Sequence, residues 1–344
     1  MSTGSKNGII YFYVHFLTES CCFFALSRVF GNSLIMWCVP LIYDFLAFVP
    51  QILIGDIADR FPKFIPGLWG AVLLALGLLL FPVFGTRIVP IILIAIGNAF
   101  IHVNGAEVTL RTGNGRITPA AVFVAGGSFG IVVGKLLAHT PMPFWVMAVA
   151  IITAIPFVLL CEKNKCTEIE KEYDFASKEV MPELVVILAT IVVAVRGYMG
   201  YGIPTSWNKT TFQMILLYGF MGTGKALGGI FVDRIGLRKT IYISVLLALP
   251  LLLFGDNHMI ISLIGVMFFS MTMSVTLGLL VSVYNNRPGF AFGFTTIGLF
   301  LGVLPIFFFT IKSFAVNCVV ISLLSVLCLF FLLKISKKEV KVKK

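Results

Sequence analysis

Two stretches of the chain repeat one pattern, GIFVDRIGLRK at 229–239 and GDIADRFPK at 55–63. Gly55 and Gly229 are 174 positions apart, and so are Asp59 and Asp233. Half of the chain is 172 residues long. A pattern that recurs at half the chain length is what an internal duplication leaves behind. We therefore expect two structurally similar halves, with the repeated pattern at the same place in each.

The composition is that of a membrane protein. Of the 344 residues, 59% are hydrophobic and 12% are charged, and the mean hydropathy is +1.02. Soluble domains average about 45–50% apolar and about 25% charged residues. Twelve helices of about 20 residues, the length that crosses a bilayer, would use roughly 240 residues and leave about 100 for loops. No room then remains for a folded soluble domain.

Twelve apolar runs of spanning length predict an all-α, polytopic membrane protein. The long hydrophilic stretch at 162–182 has mixed charges and few aromatic residues, which predicts a solvated cytoplasmic linker, although a docking role stays open. We predict an N-terminal six-helix bundle at 1–161, the linker at 162–182 and a C-terminal six-helix bundle at 183–344. The runs fall at roughly 9–30, 34–55, 64–84, 88–110, 118–138, 143–161, 183–204, 210–230, 240–254, 258–284, 290–310 and 313–334.

Basic residues favour one side of the predicted membrane. Of the 26 Lys and Arg residues, 19 lie in segments that alternate onto one side, whereas the other side carries Arg28, Arg87, Lys209 and Lys312. The side richer in Lys and Arg is cytoplasmic, so both termini are predicted to be cytoplasmic. The net charge of +11 then reflects topology and attraction to the lipid bilayer, not a nucleic-acid partner. A plasma membrane is the expected location.

Patterns of enzymes and metal sites are weak. The cysteines number seven, an odd count, and lie mostly in apolar runs, which argues against a disulfide framework or a zinc site. The stretch 219–225 spells G-x-x-x-x-G-K, but Ala226 follows where a phosphate-binding loop has Ser or Thr. The stretch 126–130 spells G-x-S-x-G inside an apolar run, not at a strand-to-helix turn. We expect no enzymatic activity, metal or cofactor.

The repeated pattern resembles the loop signature of the major facilitator superfamily, G-x-x-x-D-R-x-G-x-R-K. The second copy matches it in full, and the first has Pro62 in place of the second glycine. The resemblance implies a transporter whose two bundles rock about a central site, with the repeats as loops of a cytoplasmic gate. We expect the chain to function as a monomer. Lys225, one turn before the second copy, is expected to join that gate. The gate residues would be Gly55, Asp59, Arg60, Gly229, Asp233, Arg234, Gly236, Arg238 and Lys239.

A narrower resemblance covers the fourth and fifth runs. The stretch GNAFIH at 97–102 and the stretch FVAGGSFG at 123–130, with Gly134, are similar to the fosmidomycin-resistance-type efflux branch of the superfamily. This resemblance implies export of a small molecule.

Ionisable residues lie near the middle of three runs: Glu19, Asp44 and Arg196. Each costs about 2.5–3.5 kcal/mol at membrane depth unless it faces a partner or a cavity. One interpretation is a salt-bridged cluster of two acids around one arginine that locks the halves together. The other assigns proton coupling to Glu19 and Asp44, with Arg196 as the counter-charge at a midplane site.

Helical spacing groups further polar residues. His15 and Glu19 share a helix face, as do Asn98 and His102, because each pair is four residues apart. In the superfamily, runs one, four, seven and ten line the central cavity, so the resemblance brings Glu19, His102, Arg196 and Ser274 together. Each of these residues also has a structural interpretation. His102 could be an interhelical hydrogen-bond donor, and Ser274 could bond to its own helix. Lys135 could extend its charged end to the membrane surface. The candidate substrate-binding residues are Asn98, His102, Ser128, Lys135, Arg196 and Ser274.

The sequence therefore predicts a proton-coupled exporter of a small molecule. Glu19 would gain and lose a proton as the cavity faces each side, which would weaken and restore its attraction to Arg196. Uptake of an organic anion or a sugar is the alternative within transport. A non-transporting receptor or scaffold, and an enzyme that uses Glu19 and His102 as an acid–base pair, are alternatives of other classes.

Overall fold

The computed structural model describes residues 2–29, 38–83, 87–166, 169–203, 205–309 and 313–338. Over those ranges the secondary structure is helical, and the one β-type pairing is an isolated bridge between Ala176 and Ser336. Lys312 and the last three lysines of the tail, which entered the charge count above, lie outside the described residues.

Within the described residues, the first half of the chain contains eight α-helices; the second half contains another eight, with a π-helix at Ile243–Leu247 and a 3₁₀ helix at Leu304–Phe307. The first eight are α1 Thr3–Val29, α2 Cys38–Phe48, α3 Gln51–Arg60, α4 Pro66–Leu80, α5 Ile88–Arg111, α6 Thr118–Ala138, α7 Phe144–Ile152 and α8 Ile155–Lys163. The others are α9 Pro182–Gly202, α10 Thr211–Ile235, α11 Leu237–Tyr242, α12 Ala248–Phe254, α13 Met259–Ser270, α14 Thr272–Val283, α15 Pro288–Val303 and α16 Phe314–Ile335.

Eleven helical stretches of the described chain are long and apolar enough to cross a membrane. They coincide with eleven of the twelve predicted runs; the fifth run, 118–138, has the same bounds as α6. The third run forms the shorter α4 of 15 residues, which is roughly 22 Å long against a hydrocarbon core of about 30 Å.

Several spans consist of two consecutive helices. Pro50 separates α2 from α3, and Pro156 lies in the first turn of α8, directly after the turn that ends α7. Proline has no backbone N–H and clashes with the preceding turn, so it interrupts a helix at these positions.

The repeated pattern is mostly helical, which corrects the prediction of two loops. Gly55 to Arg60 form the end of α3, and Gly229 to Arg234 lie in the last turns of α10. The second copy leaves the helix at Gly236, whose φ of 93° is a conformation that favours glycine. Pro62 stands at the equivalent place of the first copy and cannot continue a helix.

Close packing of α1 on α6 positions the candidate site. A Cβ atom at Gly126, Gly130 or Gly134 would come within 2.2, 2.3 and 2.4 Å of backbone carbonyl oxygens of α1. Small residues at four-residue spacing allow two helix backbones to approach this closely. The polar side chains of α1 are thereby held against α5 and α6.

The predicted linker is packed, not solvated, over part of its length. The Tyr173 hydroxyl is buried and donates to the carbonyl of Leu110 at the end of α5, at 2.7 Å. Burial raises the pKa of Tyr173 above its usual value. The backbone N–H of Tyr173 donates to Asn285 after α14, and that of Ser177 donates to Ile335 at the end of α16. The linker thus ties the ends of three helices together.

Candidate functional site

Four buried polar side chains meet between α1 and α5, and we refer to them as the Glu19 cluster: His15, Glu19, Asn98 and His102. His15 and Glu19 are one turn apart on α1, and Asn98 and His102 are one turn apart on α5. The two pairs that the sequence placed on single helix faces therefore face each other.

Glu19 is the centre of this cluster. Asn98 Nδ2 donates to Glu19 Oε1 at 3.0 Å and lies 2.8 Å from the hydroxyl of Tyr43 on α2. The same Oε1 atom lies 3.6 Å from His15 Nε2 and 3.4 Å from His102 Nε2. One carboxylate oxygen thus faces both imidazole rings.

The other nitrogen of each imidazole fixes the ring. His15 Nδ1 lies 2.9 Å from the carbonyl oxygen of Phe123, and His102 Nδ1 lies 3.0 Å from that of Asn98. A carbonyl oxygen only accepts hydrogen bonds, so each Nδ1 carries its hydrogen. In a neutral imidazole the remaining nitrogen, Nε2, then has a lone pair. Two lone pairs would face one carboxylate oxygen, so the arrangement requires a proton or another cation between them.

Asp44 is peripheral to the cluster. It is partly buried on α2 and lies within electrostatic range of Glu19.

Arg196 lies apart from the Glu19 cluster, which corrects the predicted attraction between Glu19 and Arg196. It is buried on α9, and its side chain forms no ion pair within the described ranges. Its Nε atom has no hydrogen-bond partner there either. The reason for the error is that Glu19 lies among α1, α5 and α6, whereas Arg196 lines a cavity formed by helices of the second half.

This cavity is small and mostly apolar. Its lining includes Leu252, Phe269, Thr272 and Ser325 besides Arg196. The volume of about 10 Å³ accommodates about one water molecule. A buried guanidinium in such a place lacks the anionic partner that buried charges normally have.

Lys225 was assigned to the gate, and the structure places it elsewhere. Its Nζ atom donates to Ser128 Oγ at 2.9 Å, across the contact between α10 and α6. Lys225 is also within electrostatic range of both Glu19 and Arg196. The predicted run ended at 230, but α10 continues to Ile235, so Lys225 lies roughly 15 Å from the helix end. A lysine near the centre of a spanning helix is a candidate functional residue. The predicted run, which ended at 230, placed Lys225 near the helix end instead.

Ser274 and Lys135 already have partners. The Ser274 hydroxyl donates to the backbone carbonyl of Lys225 at 3.0 Å and so joins α14 to α10. Lys135 Nζ donates to the hydroxyl of Tyr218 at 3.1 Å and lies 4.9 Å from the centre of that ring. Neither side chain contacts the Glu19 cluster in the part of the chain that the structure describes.

The repeated pattern lies at one end of the bundle, which we call the motif end. There Asp59 accepts hydrogen bonds from the backbone N–H groups of Gly289 and Phe290, at 3.2 and 2.8 Å. Asp233 accepts in the same way from Ile117 and Thr118, both at 2.9 Å. Each aspartate therefore holds the N-terminus of a helix from the other half of the chain, where a negative charge is favoured.

Both motif glycines allow close contact at the motif end. A Cβ atom at Gly55 would lie 2.3 Å from the carbonyl oxygen of Gly289, and one at Gly229 would lie 2.4 Å from Ala121 Cβ. The two aspartates can reach the opposite helices because the backbones approach this closely.

The arginine that pairs with Asp59 is not its sequence neighbour. Arg60 pairs with Asp56 at 2.9 Å near the surface, whereas Asp59 Oδ1 lies 3.0 Å from Arg111 Nη2. The arginine that contacts Asp59 thus belongs to α5 and lies outside the repeated pattern. In the second copy, Arg238 donates to the carbonyl of Leu333 in α16 at 2.9 Å, and Arg234 and Lys239 are exposed.

A buried chain of charges continues from Asp59. Arg111 also pairs with Glu107 at 2.9 Å, Glu107 with Lys165 at 3.4 Å, and Lys165 with Glu162 at 2.9 Å. Alternating charges of this kind offset the cost of burying each one. The end of α8 is thereby tied to α3 and α5.

The fold was compared with solved structures. The E. coli fucose:proton symporter FucP matches over 97% of this chain and 98% of its own, with a TM-score of 0.71 and 12% identity. The human organic anion transporter MFSD10 (TETRAN) matches over 95% and 99%, with a TM-score of 0.68 and 12% identity. A bacterial homologue of the iron transporter ferroportin matches over 97% and 99%, with a TM-score of 0.62 and 14% identity.

The chain has the major facilitator fold. The prediction made from composition and the repeated pattern is confirmed at the level of fold. No protein-family model and no curated protein sequence matches the chain. The resemblance to the fosmidomycin-resistance-type branch therefore stays a prediction, as does the division into bundles at 1–161 and 183–344.

Proposed function

We propose that the chain is a secondary active transporter that couples proton movement to the transport of a small molecule with an anionic group. The observation that carries the proposal is the position of Glu19 Oε1 opposite Nε2 of both His15 and His102. The major facilitator fold, shared with solved transporters, supports the general class.

The proton step belongs to the Glu19 cluster. A proton held between Glu19 and either imidazole removes the repulsion between the carboxylate and the two Nε2 lone pairs. Its departure leaves an unbalanced charge in a buried place, which is costly. A change of conformation then lowers the free energy of the protein. The cluster thereby links proton binding to the conformation of the bundle. A proton that crosses about 100 mV supplies roughly 2.3 kcal/mol, enough for about a fiftyfold substrate gradient.

The substrate's anionic group would lie between two cations, the buried Arg196 and the partly buried Lys225. Arg196 and Lys225 form no ion pair in the described ranges, and each lies inside the bundle. Buried charges are normally paired, so an anionic ligand would supply the missing charge. An electrostatic interaction between Lys225 and Glu19 supports a coupling between the proton and the anion.

The motif end would act as the gate on the cytoplasmic side. In this structure Asp59 and Asp233 hold helices of the opposite halves together. Opening toward the cytoplasm would break both sets of hydrogen bonds, and closing would restore them. In this proposal the termini are cytoplasmic, the chain works as a monomer, and its location is the plasma membrane.

The direction of transport follows from the resemblance of the fourth and fifth runs, which favours export in exchange for protons. Uptake of an organic anion or a sugar together with protons is the alternative. A fucose symporter and an organic anion transporter are both among the structures with a similar fold. The two directions differ in whether substrate and protons cross in opposite senses.

A test uses purified protein in liposomes that enclose a pH-sensitive dye. A proton gradient is imposed, and organic anions, phosphonates, sugars and lipophilic cations are added in turn. We expect an organic anion or a phosphonate to dissipate the gradient, and the sign of the pH change to report direction. Proton movement driven only by sugars or lipophilic cations, or by no compound in folded protein, would contradict the proposal. Glu183→Gln, at an exposed position of α9, is the matched control for Glu19→Gln.

A further inference from the structure

We propose that His15, Glu19 and His102 form a binding site for one divalent transition-metal ion of the zinc class. The three side chains are buried, and their ligand atoms all lie within 4.8 Å of one another. Binding of a metal here does not depend on the transport activity proposed above. The metal ion would bind at the position that the proton would otherwise occupy.

The donor set suits this class of metal. Imidazole nitrogen and carboxylate oxygen bind Zn²⁺ and its neighbours in the first transition series, whereas Mg²⁺ and Ca²⁺ take mostly oxygen ligands. Two imidazoles and one carboxylate leave a fourth position in a tetrahedral shell, and three protein ligands with one further group are a frequent arrangement for zinc.

The distances fit coordination better than direct hydrogen bonding. A charge-assisted hydrogen bond between an imidazole and a carboxylate would bring the two atoms to about 2.7–2.9 Å. Glu19 Oε1 lies 3.4 Å from His102 Nε2 and 3.6 Å from His15 Nε2. Two ligand atoms of a tetrahedral zinc ion, each about 2.0–2.2 Å from the metal, are about 3.3–3.6 Å apart.

Both imidazoles are oriented as metal ligands. His15 Nδ1 is bonded to the Phe123 carbonyl and His102 Nδ1 to the Asn98 carbonyl, so both lone pairs are on Nε2, the atom that faces Glu19. Metal-bound histidines almost always donate their second N–H to a carbonyl or carboxylate, which fixes the ring and its tautomer. The structure thus has the supporting hydrogen bonds of a metal site in place.

Asn98 offers a fourth ligand. Its Oδ1 atom is buried and has no hydrogen-bond partner within the described ranges, although a buried carbonyl oxygen normally has one. Its Nδ2 atom lies 3.0 Å from Glu19 Oε1. Rotation of the amide by a half-turn would exchange the two atoms and direct Oδ1 at the cluster. Oδ1 would then be an oxygen ligand for the fourth position, and Nδ2 would turn to the place that Oδ1 now occupies.

A metal and a proton compete for this site. Both need the Nε2 lone pairs and the charge of Glu19, so binding of the metal would release any proton held there. If the proposed proton coupling is correct, a bound metal would also block it.

The test measures Co²⁺ and Zn²⁺ binding by the full chain, purified and stripped of metal with a chelator. We expect one equivalent of Co²⁺ to produce the visible absorption of a four-coordinate ion with nitrogen and oxygen ligands, and Zn²⁺ to displace it. His15→Ala, His102→Ala and Glu19→Gln should each weaken binding by about 100-fold or more. The double variant His139→Ala/His258→Ala removes the two exposed histidines and should bind as wild type does.

Three results would overturn the proposal. One is the absence of Co²⁺ binding by wild-type protein that unfolds cooperatively on heating. Another is binding that survives when all three ligands are replaced in a protein that is still folded. The third is a thiolate-to-cobalt charge-transfer band, which would assign the metal to cysteine. Failure of proton coupling with intact metal binding, or the reverse, would separate this proposal from the proposed function.

Discussion

Asp59 and Asp233, which are 174 positions apart, make the same contact at the motif end of the structure. Each accepts two backbone hydrogen bonds from the N-terminus of a helix in the other half, α15 for Asp59 and α6 for Asp233. The duplication seen in the sequence is therefore also a duplication of hydrogen bonding. Asp59 lies within α3 and Pro62 lies after its end, so the proline leaves this contact intact.

Replacing a motif aspartate should loosen the motif end. We expect Asp233→Asn to lower the free energy of unfolding by about 1.5–3 kcal/mol, because hydrogen bonds to a charged acceptor are lost or weakened. Thermal unfolding of the purified protein measures this change. Asp174→Asn is the control; within the described residues the Asp174 side chain forms an exposed ion pair with Lys337 and no other, so a change of no more than about 1 kcal/mol is expected. Equal losses in the two variants would contradict the account.

Removing the unpaired arginine should stabilise the protein. Arg196→Met removes a buried charge without a partner in the described ranges and should raise the free energy of unfolding by about 1–4 kcal/mol, while binding of anions is lost. Arg28→Met is the control, for which we expect the free energy of unfolding to change in the opposite direction. Arg28 donates to the carbonyls of Ala138, Thr140 and Met142, so its loss should destabilise the fold. A fall in melting temperature for Arg196→Met would count against an anion site.

The contact between α1 and α6 should tolerate no added methyl group. A Cβ at Gly130 would lie 2.3 Å from the Phe16 carbonyl oxygen, so Gly130→Ala should cost about 1–3 kcal/mol. At Gly200 of α9 an added Cβ would meet nothing within 4 Å. Gly200→Ala should therefore gain about 0.5–1 kcal/mol from helix propensity. The two variants, compared by thermal unfolding, should shift the melting temperature in opposite directions; equal shifts would show that the helices are not packed this closely.

Tyr173 should give the linker a dependence on alkaline pH. Burial raises the pKa of Tyr173 in the folded protein above that of the unfolded chain. Its contribution to stability is therefore fully present below the unfolded pKa of about 10, and it is lost as the pH rises from there toward the folded pKa. We expect the stability difference between wild type and Tyr173→Phe to shrink between pH 9 and about 11. Tyr242→Phe, on an exposed side chain, is the control. A difference that is independent of pH would contradict the buried position of Tyr173.

Periodicity and composition predicted the helices and the pairing of residues within each helix. The bounds of α6 and the shared faces of His15 with Glu19 and of Asn98 with His102 follow from local sequence. The contacts between helices could not be predicted from local sequence. The residue that Glu19 faces depends on how α1 and α5 are rotated against each other, which hydrophobicity along one helix does not specify.

The errors at the site have the same origin. The sequence paired Arg196 with Glu19 because both were expected in the central cavity, and it gave no partner for Asp59. The structure pairs Asp59 with Arg111 of α5. Lys225 was assigned to the gate because the end of its run was placed at 230, whereas α10 ends five residues later, at Ile235. Long-range partners and helix ends are what a single sequence specifies least.

The central claim, that Glu19 carries the coupled proton, is tested most directly by uphill transport in liposomes. Wild type and Glu19→Gln are given the same proton gradient and a substrate identified in the dye assay, and substrate is measured on both sides. We predict that Glu19→Gln still equilibrates substrate down its gradient but does not accumulate it against one. Accumulation by Glu19→Gln equal to that of wild type at every pH would contradict the claim.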